Sequence, residues 1–146
     1  LRGDIQDAVL DGCQAVFIDP ITNLTNGIDA ASSNTILQEF AQELAFMAKD
    51  LGIMIFMFCH LKAPLTGASH ERGGKVFSSQ FAGSRAMMRS CHLMLGLEGD
   101  KDPDLDRNEQ VMRRLTVLED RAFGSSGYVS LFFDEKTGLY HEIKKA

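Results

Sequence analysis

A strand-like run, Ala15–Asp19, apolar up to its closing carboxylate, and the continuous apolar run Ile53–Cys59 flank a stretch whose apolar residues recur every three or four positions, and this triplet constrains the fold more than any other feature. Continuous rather than alternating apolar character marks strands buried on both faces. Between them Ile36, Leu37, Phe40, Leu44, Met47 and Leu51 fall on one stripe of a helix running from about Asn34 to Asp50, and Gly52 closes it. Strand, crossover helix and strand in this order make a right-handed βαβ unit of a parallel sheet. The expected fold class is α/β.

The rest of the chain arranges itself around that unit. Residues 1–12 read as a helix with Ile5, Ala8 and Val9 on one face and Gly12 at its end. Pro20 cannot continue a central strand, and Thr22 to Asn34, with Asn26-Gly27 and Ser32-Ser33, reads as a long irregular loop. A second crossover leaves at His60, passes through a basic loop and a helix near Gln80–Arg89, and returns as strand Cys91–Leu97. Glu98 to Asn108 has the composition of a charged, disordered surface loop. Arg114–Glu119, Tyr128–Phe133 and Leu139–Ile143 alternate like short strands. The last two are joined by the tight turn Asp134-Glu135-Lys136-Thr137-Gly138, and all three are expected as antiparallel additions at one end of the sheet.

Composition removes several classes of function. A chain of 146 residues, 45% apolar and 24% charged, has the make-up of one globular domain. Its longest apolar stretch, Ile53 to Cys59, is too short to span a bilayer, and no charged-then-apolar leader opens it, so a cytoplasmic protein with no membrane partner is expected. Cys13, Cys59 and Cys91 are too few and too scattered for a disulfide framework. An opening on Leu1 rather than Met fits either a piece of a longer protein or a processed start. The net charge of −5 argues against a surface that coats nucleic acid generally. Lys62, Arg72 and Lys75 against Glu71 nevertheless make the loop locally about +2. That basic feature suits a phosphate ligand or is simply a solvated loop.

The chemically capable residues gather at strand ends. Asp19 closes the first strand, where a carboxylate either holds the water shell of Mg²⁺ beside a nucleotide or caps the loop that follows. His60 closes the second, and in an open parallel sheet ligands bind beyond the carboxyl ends of the strands. Its imidazole there either senses a γ-phosphate or finds a backbone partner. Arg121 follows the strand Arg114–Glu119 and precedes the glycine-bounded turn Ala122-Phe123-Gly124-Ser125-Ser126-Gly127. It is either a guanidinium offered to a phosphate across a subunit boundary or a surface partner of Glu119 or Asp120. Cys59-His60 and Cys91-His92 do not make a zinc site, because neighbouring strand residues point to opposite faces. No G-x-x-x-x-G-K-[ST] phosphate loop occurs in the sequence. Gly73-Gly74-Lys75-Val76 is its nearest imitation, with Ser69 in place of the first glycine, and reads as flexible backbone.

Taken in order, Ala15-Val16-Phe17-Ile18-Asp19-Pro20, Phe58-Cys59-His60-Leu61-Lys62, Gly83-Ser84-Arg85-Ala86, Asp120-Arg121-Ala122-Phe123-Gly124-Ser125-Ser126-Gly127 and Phe133-Asp134-Glu135-Lys136-Thr137-Gly138-Leu139 resemble the RecA-like motor domain of DnaB-family replicative helicases. The branch holding the phage helicase-primases and the mitochondrial helicase Twinkle is the most similar. The resemblance implies that residues 1–146 are one partial RecA-like P-loop NTPase domain, from the Walker B strand onward, with a mainly parallel sheet and antiparallel C-terminal strands. It implies a homo-hexameric ring that couples hydrolysis of ATP or another NTP, with Mg²⁺, to 5′–3′ movement on single-stranded DNA and duplex unwinding, with a primase as possible partner. By the same resemblance Asp19 is the Walker B carboxylate, acting on Mg²⁺ through water, His60 the γ-phosphate sensor, and Arg121 the arginine finger. Lys62, Arg72 and Lys75 belong to the loop that grips single-stranded DNA.

Two positions depart from the family pattern: Glu119 stands where a lysine is usual, and Arg89 where a glutamine is usual. The family's P-loop and catalytic glutamate would precede Leu1, so the polypeptide as given is expected to be inactive alone. A RecA- or KaiC-type ATPase shares the sheet and the Walker B strand and is the alternative enzyme. A non-catalytic module that binds single-stranded DNA or joins a ring is the alternative outside the enzymes.

Overall fold

The computed structural model describes residues 1–81 and 84–144, with the side chains of 84–86 left aside. The chain divides into two compact units, residues 1–61 with 81–91 and residues 62–80 with 92–146. Gly83, part of one motif singled out above, lies outside the described residues.

The first unit contains the βαβ core. Helix α1 (Arg2–Leu10) leads into strand β1 (Ala15–Ile18), a 3-10 turn (Ile21–Thr25), helix α2 (Ala30–Leu51) and strand β2 (Met54–Met57), with the short helix α3 (Ser84–Ser90) completing it. Strands β1 and β2 pair in parallel, from Ala15 opposite Met54 to Ile18 opposite Met57. Helix α2 begins four residues before the expected Asn34. The cause is Asp29, whose carboxylate accepts from the backbone N–H groups of Ala31 at 3.1 Å and Ser32 at 3.0 Å and so satisfies donors that the first turn leaves open. Gly52 ends the helix in the left-handed conformation at φ 67°, its N–H donating to the carbonyl of Ala48.

The stripe read from the sequence is the face α2 buries. Leu37, Ala41, Leu44 and Met47 pack with Ile5, Ile21, Ile53 and Met87, while Phe40 and Leu51 lie against the cluster half-buried. Expected burial of β1 and β2 on both faces is not observed. Phe17, Met54 and Phe56 are exposed, at 64%, 62% and 41%, whereas Val16, Ile18, Ile55 and Met57 face the core. On the open face the rings of Phe17 and Phe56 stack with centroids 4.8 Å apart and planes 6° from parallel. Apolar residues on both faces make the runs continuous, yet only one face is covered.

The second unit is an antiparallel meander of β3 (Leu93–Gly99), β4 (Met112–Asp120), β5 (Gly127–Asp134) and β6 (Leu139–Glu142), with a one-turn helix α4 (Arg107–Gln110) before β4. The strand expected to return in parallel as Cys91–Leu97 instead heads this sheet. Leu93 to Gly99 run antiparallel to β4, with a bulge between Met94 and Leu95. Direction of pairing cannot be read from an apolar run, because both ladders accept the same side chains. The β5–β6 turn is as expected: the Asp134 carboxylate accepts from the Lys136 N–H at 2.9 Å, and Gly138 sits at φ 71°.

The segment Glu98 to Asn108 is ordered rather than disordered. Asp100 and Asp102 accept from the backbone N–H groups of Asp102 and Asp104 at 2.9 and 3.1 Å. Asp106 and Glu109 form a reciprocal capping box at α4, and Arg107 pairs with Glu135. Charge counting alone does not reveal these bonds.

Candidate nucleotide and nucleic-acid sites

Parallel pairing brings the two strand-end candidates together. Beyond the formal ladder, Phe58 N–H donates to the Ile18 carbonyl at 2.9 Å and Ile21 N–H donates to the Phe58 carbonyl at 2.9 Å. Asp19 therefore lies alongside Phe58, and the turn that follows lies alongside His60. The Asp19–Pro20 peptide is cis. Asp19 is exposed, and the 3-10 turn it precedes has no side-chain cap. The turn's own backbone closes it, through Asn23 N–H to the Pro20 carbonyl at 3.2 Å. The loop-capping role open to Asp19 is thus not the one its carboxylate plays among the described residues. A solvent-facing carboxylate at the carboxyl end of a parallel strand suits a hydrated cation.

His60 is exposed and its Nδ1 lies 3.0 Å from the Thr22 hydroxyl. The partner is a side chain, not the backbone group considered from the sequence. In the sequence Thr22 reads only as the start of an irregular loop. A hydroxyl three residues after the strand-end Asp, on a turn that folds back over the next strand, is the signal that points to it. The turn is held there by Ile21, which is fully buried, and by the Thr25 hydroxyl, which donates to the Thr22 carbonyl at 3.0 Å.

In the second unit Arg121 is exposed just after β4. Its backbone N–H donates to the His92 carbonyl at 3.0 Å. The turn carrying it is organised by Asp120, whose carboxylate accepts from Ala122, Phe123 and Ser125 N–H groups at 3.0, 3.1 and 3.2 Å. Hydrogen bonds from Phe123 and then Ser125 hold the Asp120 carboxyl below the ordinary Asp range. Gly124 completes the turn at φ 63°. From the sequence Asp120 reads only as an ion-pair partner, although an Asp followed by a Gly- and Ser-rich turn is itself a capping signal.

The basic loop is also structured. Lys62 N–H donates to the Gln80 carbonyl at 2.7 Å and closes its base. Lys62 and Lys75 are exposed. Arg72 is paired, its Nη1 3.3 Å from Asp102 Oδ2, and its backbone bridges to Asp100. Gly73-Gly74 is not flexible backbone. Gly74 is buried, its N–H donates to the Ser69 carbonyl at 2.9 Å, and an added Cβ would come within 2.2 Å of the Ala68 carbonyl oxygen. The glycine is there because two stretches of backbone cross at that point.

Burial of Cys59 pushes its thiol up to about 11, which makes it a poor nucleophile or metal ligand. Among the described residues no cluster of His, Cys, Asp or Glu is arranged to hold a metal directly, and no helix is long and apolar enough to cross a membrane.

No family model matches the chain. It is similar to the DNA helicase/primase of Enterobacteria phage T3, at 25% identity over 127 residues that make up 87% of this chain and 22% of that protein. Its fold is similar to that of a solved ATPase domain, with a TM-score of 0.76 and 15% identity over 97% of this chain and 50% of the other. A DnaB-like replicative helicase, solved in a study of its interactions with primase, matches with a TM-score of 0.76 and 17% identity over 97% of this chain and 34% of that one. The chain thus spans about a fifth of the phage relative and between a third and a half of the solved chains.

Proposed function

We propose that this chain, similar in sequence to a phage DNA helicase/primase and in fold to DnaB-like helicase ATPase domains, is the later part of a DnaB-family replicative helicase motor, from the Walker B strand onward. The whole protein would couple NTP hydrolysis to 5′–3′ movement on single-stranded DNA and to duplex unwinding, as a homo-hexameric ring in a bacterial or phage-infected cytoplasm, with a primase as partner. The observation that carries this reading is the exposed Asp19 at the end of β1, beside the His60–Thr22 pair.

In this reading Asp19 orients the water shell of the nucleotide's cation. Bound Mg²⁺ neutralises charge on the transferring phosphoryl group. His60 donates a hydrogen bond to a γ-phosphate oxygen and reports its loss. Arg121, presented by the Asp120-clamped turn, reaches the nucleotide of the neighbouring subunit, a role worth ~10³–10⁵ in rate. Lys62 and Lys75 contact the DNA backbone without reading sequence, and Arg72 joins them only by leaving Asp102. Without a phosphate-binding loop the 146-residue polypeptide hydrolyses no NTP by itself.

The test is made in the helicase that contains this chain. Asp19→Asn is expected to lower NTP hydrolysis and unwinding of a 5′-tailed fork by about 10- to 100-fold, the usual cost of removing an outer-sphere ligand, while ring assembly persists. Full hydrolysis in that variant overturns the Walker B assignment. Turnover by the 146-residue polypeptide, abolished by Asp19→Ala, overturns its predicted inactivity.

A further inference from the structure

We infer that Thr22 is a positioning residue for His60: its hydroxyl donates to Nδ1, which puts the ring proton on Nε2 and turns that N–H away from the turn as a hydrogen-bond donor at the carboxyl ends of β1 and β2. The inference deepens the phosphate-sensing role proposed above and rests on it for its functional meaning. The placement of the pair is independent of any nucleotide, and the direction of its hydrogen bond is the one the sensing role requires.

A neutral imidazole has one N–H and one bare nitrogen, and the partner of one nitrogen decides the state of the other. His60 Nδ1 has a hydroxyl at 3.0 Å, a group able either to donate or to accept. The local structure fixes where that hydroxyl stands. Ile21, immediately before it, is fully buried, and its N–H is bound to the Phe58 carbonyl two residues before His60. The Thr22 carbonyl receives the Thr25 hydroxyl at 3.0 Å. His60 is held from its other side, since Leu61 bridges to Phe81. Thr22 is half-buried, and the branched side chain of a threonine has few rotamers to choose from. Backbone on both sides of the pair is therefore anchored, and the hydroxyl meets the exposed ring at 3.0 Å.

The consequence is directional. A phosphate oxygen carries no proton to donate, so only a ring nitrogen that bears hydrogen can sense it. With Thr22 donating to Nδ1, the nitrogen that bears hydrogen is Nε2. Without the hydroxyl the ring is free to populate both tautomers and to rotate, and the sensing N–H is present only part of the time.

Nitrogen-15 NMR of the imidazole in the 146-residue chain, without nucleotide, reads the tautomer directly. The wild type is expected to carry its proton on Nε2 with Nδ1 bare. Thr22→Val, which keeps the shape and removes the hydroxyl, should reduce that preference roughly 3- to 10-fold, the value of one hydrogen bond, and Thr22→Ser should retain it. A wild-type proton on Nδ1 overturns the inference, as does an unchanged ratio in Thr22→Val. Should the valine variant fail to fold, Thr22→Ala, which also lacks the hydroxyl, decides by the same change in ratio. The functional reading fails separately, if His60→Ala leaves NTP hydrolysis by the helicase unchanged while the tautomer behaves as described.

Discussion

The backbone N–H of Val76 donates to the carboxylate of Glu98 at 3.0 Å, joining the end of the basic loop to strand β3 where both residues are buried. Glu98 is 8% exposed, and its other oxygen lies 3.9 Å from Arg114, which in turn covers the ring of Tyr128 at 4.3 Å. One position before Val76 on the chain is Lys75, a proposed DNA contact. Glu98→Ala leaves a buried N–H without an acceptor, at a cost of about 1–3 kcal/mol. Glu98→Gln keeps the acceptor and loses only the long ion pair, so its cost is expected to be the smaller. Urea unfolding should rank the variants in that order, and hydrogen exchange at the Val76 amide should rise in the alanine variant alone. Equal stability of Glu98→Ala and wild type would falsify the anchoring role.

The same contact explains a glycine. Gly96 sits on the buried face of β3 between Met94 and Glu98, and a Cβ there would lie 3.0 Å from Val76 and 3.2 Å from Leu118. Gly74 is more constrained, since its added Cβ would press on the Ala68 and Ser69 carbonyl oxygens at 2.2 and 2.7 Å. Backbone cannot step aside as a side-chain tip can. Gly74→Ala is therefore expected to destabilise by about 1–3 kcal/mol and to weaken binding of labelled oligo-dT by displacing Lys75. Gly67→Ala, with open space around it but a φ of +87°, should leave the 69–74 crossing intact. Fluorescence anisotropy and thermal melts on both variants make the comparison, and equal losses would show that crowding at Gly74 is not the cause.

What is legible in the sequence follows its periodicities. The stripe Leu37, Leu44 and Met47 announces α2 and its buried face because helix spacing is local and dense, and β1 and β2 are visible as apolar runs on either side. The pairing of β3 is not visible, because an apolar run does not encode the direction of its neighbour. Asp19 and His60 can be put at one sheet edge from topology alone. Thr22 cannot be attached to His60 in this way, since the two are 38 residues apart and meet only through the turn that buries Ile21. The basic loop reads as loose, because Gly73-Gly74 looks the same in sequence whether a chain is free or tightly crossed.

Acid should loosen the Arg121 turn. The Asp120 carboxyl is held below its ordinary value of 3.8 by hydrogen bonds from Phe123 and then Ser125, so its folded pKa is depressed. Stability contributed by such a group is fully present above the unfolded pKa and is lost as pH falls through the folded one. The window therefore lies below about pH 4. Amide exchange at Ala122, Phe123 and Ser125 is expected to be protected at neutral pH and to lose protection in that window. Asp120→Ala should show the unprotected state at every pH and, in the proposed helicase, lower NTP hydrolysis while leaving DNA binding in place. Protection that persists in Asp120→Ala would remove the clamp from the account of Arg121.

The three basic residues of the loop are not equivalent. Lys62 and Lys75 are exposed, whereas Arg72 is already engaged with Asp102 at 3.3 Å and anchored by its backbone to Asp100. Neutralising one phosphate of a single strand changes the slope of log affinity against log salt by about −0.7. Lys62→Ala and Lys75→Ala should each flatten that slope by about this amount and weaken oligo-dT binding uniformly across sequences. Arg72→Ala is expected to change the slope less, because the arginine's charge is shared with a carboxylate before DNA arrives, and Asp102→Asn should strengthen binding by releasing it. The measurement is anisotropy over a salt series, and a full contribution of about −0.7 from Arg72 with none from Lys62 or Lys75 would reverse the assignment. The loop's base, closed between Lys62 N–H and the Gln80 carbonyl at 2.7 Å, stays intact in all four variants because it uses backbone alone.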